Sequence, residues 1–167
     1  MTRDGHLVKD GSQTRTRPAS PDDAKILWHW ANDPTTRSTS FQPEPFDFEH
    51  HLAWYREKLA SPDCRIWIAY DERDALGQVR YDRIGDEAEV SVSVARDVRG
   101  RGIGRELLRD TAALACRALH VSTLVALVRD DNMASLRAFA GAGYAVSGVE
   151  TRNGLRVVRL GRTHELF

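Results

Sequence analysis

The chain has 167 residues, 41% of them hydrophobic and 29% charged, a composition that fits one globular domain and excludes a disordered chain. Basic and acidic residues balance at 24 each, so no overall field draws the molecule to nucleic acid or anionic lipid, and any anion site must be local. Met1–Arg17 is polar and lacks an apolar signal region, and the most apolar stretch, Thr111–Val121, is interrupted by Arg117 and His120. The expectation is a cytoplasmic protein, monomer or homodimer, without membrane or nucleic-acid partners.

In chain order, residues 1–13 read as a flexible leader and 14–167 as the folded domain. Ser20-Pro21-Asp22-Asp23 opens a helix through an N-cap, a proline and early acids; the helix continues over Ile26, Leu27, Trp30 and Ala31 to a stop at Asn32-Asp33-Pro34. A second helix spans about Asp47 to Ala60, with Phe48, Leu52, Tyr55 and Leu59 as its buried stripe. His50 and His51 read as surface or cap residues of that helix. Trp28, Trp30 and Trp54 read mostly as packing residues rather than as ligand platforms.

Three strand-like runs follow, Arg65–Tyr70, Leu76–Tyr81 and Glu87–Val94, separated by short polar links as in an antiparallel meander. The third alternates, with Val90, Val92 and Val94 on one face and Glu89, Ser91 and Ser93 on the other. A glycine-rich turn, Arg99–Gly104, leads into an amphipathic helix ending near Leu119. Val121–Val128 reads as an interior strand, and Asp131-Asn132 caps a short helix through Ala140. Tyr144–Val149 and Leu155–Leu160 pair around the Asn153-Gly154 turn. The order α-α-β-β-β-α-β-α-β-β places the chain in the α/β class, a mixed sheet with helices on both faces. Cys64 and Cys116 lie in apolar segments and read as reduced core thiols. The six histidines and the acids show no metal-ligand spacing, so no metal is expected.

The sharpest signal is Arg99-Gly100-Arg101-Gly102-Ile103-Gly104, between a strand and a helix. Glycines there let backbone N–H groups converge, the helix N-terminus adds partial positive charge, and Arg99, Arg101 and Arg105 supply guanidinium groups suited to phosphate oxygens. This is a candidate pyrophosphate cradle; the plainer alternative is a solvated loop. The glycine spacing does not fit a dinucleotide fingerprint, and the lysine of a nucleotide P-loop is missing.

The turn resembles the Arg/Gln-x-x-Gly-x-Gly/Ala signature of the GCN5-related N-acetyltransferases, the GNAT family. Asn132, Ser135, Phe139, Gly143 and Tyr144 resemble that family's second motif. The resemblance extends from about Thr14 to the C-terminus. It implies a mostly antiparallel sheet after a short N-terminal strand, with acetyl-CoA as cosubstrate and no metal. Arg17-Pro18-Ala19-Ser20, Trp30-Ala31-Asn32-Asp33-Pro34, Arg37, Phe41, His51, Trp54 and Gly77-Gln78-Val79-Arg80 are similar to acetyltransferases of amino-sugar and surface-polysaccharide pathways, of the pseudaminic-acid type. By that likeness Asn32, Arg37 and Arg80 are candidate acceptor-binding residues; solvated or paired surface arginines are the alternative.

The resemblance also implies direct attack of a neutral amine on a thioester. Backbone groups of Val92 and Val94 would pair with the pantetheine arm, a backbone N–H near Val92 would face the thioester oxygen, and Arg99 to Arg105, including Ile103, would hold the pyrophosphate. Asn132 matches a pantetheine contact, although an N-cap is its simpler role. Phe139 stands where the family often has a tyrosine acid. Glu89 is the candidate base, with Glu87 in reserve and His51 third; the alternative is that both glutamates are solvated partners of nearby arginines. A small-molecule amine is the favoured acceptor. A peptide or protein amine, or a non-catalytic CoA-binding module, are the competing readings.

Overall fold

A computed structural model describes residues 13–165. The expected leader, residues 1–13, therefore lies outside the described residues except for Gln13. The elements are β1 (Arg15–Pro18), α1 (Ala24–Ala31), α2 (Pro34–Ser38), α3 (Phe48–Ala60), β2 (Cys64–Tyr70), β3 (Ala75–Ile84), β4 (Glu87–Val94), α4 (Ile103–Leu119), β5 (Thr123–Arg129), α5 (Met133–Gly141), β6 (Ala145–Arg152) and β7 (Leu155–Thr163). Short 3-10 turns precede α1 and follow β4, at Pro21–Asp23 and Arg96–Val98.

The strands form one sheet in the order β1-β2-β3-β4-β5-β7-β6. All neighbours are antiparallel except β4 and β5. The mixed, mostly antiparallel sheet matches the α/β expectation, and the element order matches once α2 is added. Strand ends moved outward. β3 runs on to Ile84, because Ile84 pairs with Glu87 across a tight turn in which Gly85 takes a φ of +63°. The β6–β7 hairpin extends to Arg152 and Leu155, because Asn153 and Gly154 both adopt left-handed φ, as a two-residue hairpin turn requires.

Apolar patterning decides the layers. Trp67 and Ala69 of β2 join Val79, Tyr81, Leu107, Leu108, Leu124 and Leu160 in the larger core, beneath α4 and α5. Cys64, Ile66 and Ile68 of the same strand face the other way, against Leu27, Trp30 and Tyr55 of α1 and α3. Burial on both faces is why β2 reads as a continuous apolar run. Both cysteines are buried and free. No helix among the described residues is long and apolar enough to cross a membrane.

One feature of the sheet positions the candidate site. β4 pairs with β3 along its whole length, but with β5 only over Glu87–Glu89, opposite Thr123–Val125. Beyond Glu89 the two parallel strands part, and a wedge opens between them.

On the far side of the sheet, Arg17 in β1 forks onto Asp23 at 2.7 and 2.8 Å, and Asp23 also accepts the Ser20 amide at 2.8 Å. Burial alone would raise the Asp23 carboxyl, but Arg17 and the Ser20 amide hold it below its ordinary value. A depressed carboxyl stabilises the fold above its unfolded-state value and loses that contribution as pH falls through the folded value. Asp23→Asn should therefore lower stability by about 1–3 kcal/mol at pH 7 and flatten its loss below about pH 4, read as denaturant midpoints across pH.

Candidate active site

The glycine-rich turn sits at the wedge. Gly100 and Gly102 adopt φ of +77° and +84°, a region an L side chain enters only with strain, and Gly102 is the residue from which α4 starts. A Cβ on Gly104 would meet Val94 Cγ2 at 3.4 Å, so its absence lets α4 approach β4 closely. The first amides of α4 thus open, with the helix dipole behind them, into a cavity of about 630 Å³. Arg101, Arg105, Asn132 and Arg137 contribute to its walls, together with Val92, Ser93 and Val94 of β4. The Arg105 side chain passes Gly141 and brings its guanidinium against Gly102, where a Cβ would lie 3.4 Å from a guanidinium nitrogen.

Arg99 lines the same cavity but is tied into the fold. Its Nε donates to the Val94 carbonyl at 3.1 Å, and its Nη2 donates to Asp33 at 3.1 Å and Thr36 at 3.3 Å. It ties the turn to α2 rather than standing over the cavity as an uncommitted cation, and it engages one of the β4 carbonyls expected to face pantetheine. Asn132 caps α5 by accepting the Ser135 amide at 3.2 Å. That bond uses only its oxygen, so its amide nitrogen remains a donor at the cavity wall.

A second cavity, of about 1090 Å³, meets the first end to end: Thr36, Thr39, Val92, Ser93, Asn132 and Ser135 line both. Its floor is a cross-strand ladder in which Gln78 pairs with Ser93, Arg80 with Ser91, and Asp82 with Glu89. The alternation read from β4 is present, with the valines against α4 and Glu89, Ser91 and Ser93 on the ladder side. Glu89 lies in this cavity, 3.8 Å from Arg152. Glu87, the reserve candidate, instead meets Arg159 at 2.7 Å.

His51 is not the surface residue expected from its type. It is 4% exposed, its Nε2 donates to the Ala24 carbonyl at 3.0 Å, and Phe46 and Tyr55 stack on its ring. Burial, opposed by that bond, lowers its pKa below the ordinary histidine value and favours the neutral ring. Phe139 is buried, edge-on to Tyr144, with its ring at the second cavity.

The three acceptor candidates have separate fates. Arg80 lines the second cavity, 4.9 Å above the Trp54 ring, with its Nε on Asp82 at 2.6 Å. Trp54 is 38% exposed there, so it is a wall residue and not core packing, whereas Trp30 is buried as expected. Arg37 also lines this cavity, but its guanidinium bonds the carbonyls of Ala31 and Gln42. Asn32 uses both ends of its amide on Phe46, donating to the carbonyl at 2.8 Å and accepting from the amide at 3.1 Å. It braces the chain between α2 and α3 and is not among the residues lining either cavity.

That segment, residues 39–46, is a strap over the second cavity. Trp28 also donates to the Phe46 carbonyl, Arg129 donates to the carbonyls of Ser38 and Ser40, and Arg152 lies 5.4 Å above the Phe41 ring. Sequence reasoning missed α2 together with Thr36, Thr39, Arg129 and Arg152. A signal was present: Asp33-Pro34 repeats the cap-and-proline start of the first helix, and Asp33 accepts the Thr36 amide at 3.2 Å. In the sequence alone the pair reads as a stop. Among the described residues, no group of three or more His, Cys, Asp or Glu side chains is placed to hold a metal ion.

A family model described as an acetyltransferase (GNAT) domain matches residues 14–145. Acetyltransferase PseH of Campylobacter jejuni is 24% identical over 116 residues, which cover 69% of this chain and 72% of that protein. The GNAT domain of S. lividans PAT superposes with a TM-score of 0.78 at 28% identity, covering 96% of each chain. Spermidine N-acetyltransferase from Vibrio cholerae, solved with CoA and spermine, gives a TM-score of 0.78 at 17% identity, covering 90% of this chain and 95% of that one.

Proposed function

The chain belongs to the GNAT acetyltransferase family, and on that premise we propose that it acetylates the amine of an amino sugar or sugar nucleotide in the cytoplasm. Acetyl-CoA-dependent N-acetyl transfer is the family's activity; the sugar acceptor rests on the second cavity. The observation that carries it is Arg37, whose guanidinium bonds only backbone carbonyls at the wall of a cavity of about 1090 Å³. Carbonyls occupy two of its five donors and Glu44 stands near enough to act on its charge; the donors that remain suit an acceptor that carries an anion, such as a sugar diphosphate. Trp54, half-covered by Arg80, adds a flat apolar wall. The resemblance to PseH supports the same reading.

The first cavity fits the donor. Its glycines leave room where side chains would crowd the backbone, and the α4 amides with Arg101 and Arg105 suit a diphosphate. Beyond Glu89, β4 has no β5 partner, so its edge is open to an extended amide-bearing arm alongside Val92 and the amide of Val94, whose carbonyl is held by Arg99. Asn132 would donate to the same arm. Bound acetyl-CoA supplies an acyl group already activated as a thioester.

The chain's own task is then to place the amine and take its proton. Glu89 is the carboxylate of the acceptor floor proposed for this. At ~3.4 Å per residue, it stands roughly 10 Å along the strand from Val92, so it acts through water beside Ser91 and Ser93. Its contact with Arg152 is long, which leaves the carboxylate available to solvent.

Thiol release from acetyl-CoA tests the acceptor. Nucleotide-linked amino sugars should turn over well above peptides, polyamines and free amino sugars; equal turnover of neutral and anionic amines would refute an anion-binding cavity. Gly102→Val, strained at a φ of +84°, should weaken acetyl-CoA at least tenfold, about 1.4 kcal/mol, by calorimetry on the folded variant. Glu89→Gln should keep acetyl-CoA affinity and cut kcat on the order of 100-fold near neutrality, with partial recovery at higher pH as the amine arrives neutral. Near-normal kcat with an unchanged pH profile would remove Glu89 from the reaction.

A further inference from the structure

We propose that Arg99 and Asp33 form a positioning pair that transmits occupancy of the glycine-rich turn to α2, and through α2 to the acceptor cavity. This rests on the assignment of the turn to CoA, and goes beyond it by making donor and acceptor binding interdependent.

The argument begins with α2. It has five residues, none of them buried, and a helix that short has no stability of its own. Its place is therefore set by tethers. Asp33 holds its N-terminus through the Thr36 amide at 3.2 Å, and Arg99, more than sixty positions away in sequence, donates to Asp33 and to the Thr36 hydroxyl. The Asp33 side chain is only 12% exposed, so this ion pair is shielded from solvent more than most surface pairs. Downstream, Arg37 and Arg129 fix the strap to which α2 leads.

On the other side of the pair is a turn with two glycines at positive φ, the least self-determined backbone of the site. Arg99 immediately precedes Gly100, and its Nε is anchored on the Val94 carbonyl. An anion held by the turn amides selects one turn geometry, and that geometry fixes where the Arg99 backbone starts. With the turn fixed, Arg99 reaches Asp33 and α2 docks; with the turn free, α2 and the strap can leave. Docked α2 brings Thr36 and Thr39 to the junction of both cavities, so the acceptor site is complete only in that state. The coupling is reciprocal, so an acceptor held under the strap also tightens CoA.

Amide hydrogen exchange with CoA as the probe tests this without turnover. Saturating CoA should slow exchange across residues 36–46 about tenfold in the unaltered protein. Asp33→Ser keeps an N-cap oxygen but is too short to hold Arg99. It should bind CoA within threefold of the original by calorimetry, yet lose the protection of 36–46. Arg99→Met, which leaves Asp33 and its cap in place, should lose the same protection at saturating CoA. Retained protection in both variants would overturn the proposal, because α2 would then sense CoA directly through Thr36 and Thr39. A tenfold loss of CoA affinity in Asp33→Ser would overturn it too, making the pair part of the cofactor grip. Failure of the unaltered protein to bind CoA would instead refute the assignment of the turn, a result calorimetry separates from the others.

Discussion

Two parallel strands that cannot stay together set the terms of this molecule. β4 and β5 pair for three residues and then diverge. An unpaired strand edge inside a protein carries backbone donors and acceptors that must be satisfied or hydrated. Here the opening is stabilised at its rim: α4 begins against β4 because Gly104 lacks a side chain, and Asn132 starts α5 across the gap. The wedge is thus a place where the sheet asks for a guest strand, and the glycine turn supplies the positive end beside it.

Most of the remaining architecture braces that opening, and it does so largely with arginine. Arg37, Arg109, Arg129 and Arg162 each donate to backbone carbonyls at loop or helix ends, and Arg99 joins the turn to α2. A guanidinium has five donors in a fixed fork, so one side chain can hold several carbonyls that no secondary structure satisfies. Apart from these struts, a chain of zero formal net charge gathers Arg101, Arg105 and Arg137 along the first cavity. The positive charges are used first as struts, and several at the cavities are also paired with acids: Arg80 with Asp82, Arg99 with Asp33 and Arg129 with Asp131.

The parts that could be read from sequence are those where local chemistry and global role coincide. The turn and α4 were legible because glycines, arginines and an amphipathic run fall in one order. β4 was legible because its alternation survives in the wedge, where valines face α4 and polar residues face the second cavity. α2 escaped because Asp33-Pro34 both ends one helix and starts another. His51 escaped because its polarity outweighed its position beside Tyr55 on the buried stripe. Asn32 looked like a ligand group and spends its amide on a loop, while Arg37 reaches the cavity wall with its guanidinium on main-chain carbonyls; such partners leave no pattern in the side-chain sequence.

The two cavities meet at six residues and otherwise share no walls. One end is made mainly of backbone amides, glycines and helix starts, features that tolerate little change. The other is made of side chains on a strap, a helix face and a sheet face, where single replacements alter shape and charge without disturbing the first. Inheritance can therefore act on the halves separately. The first end is a fixed socket and the second an interchangeable fitting, so descendants of one such scaffold can change what the second holds while keeping the first.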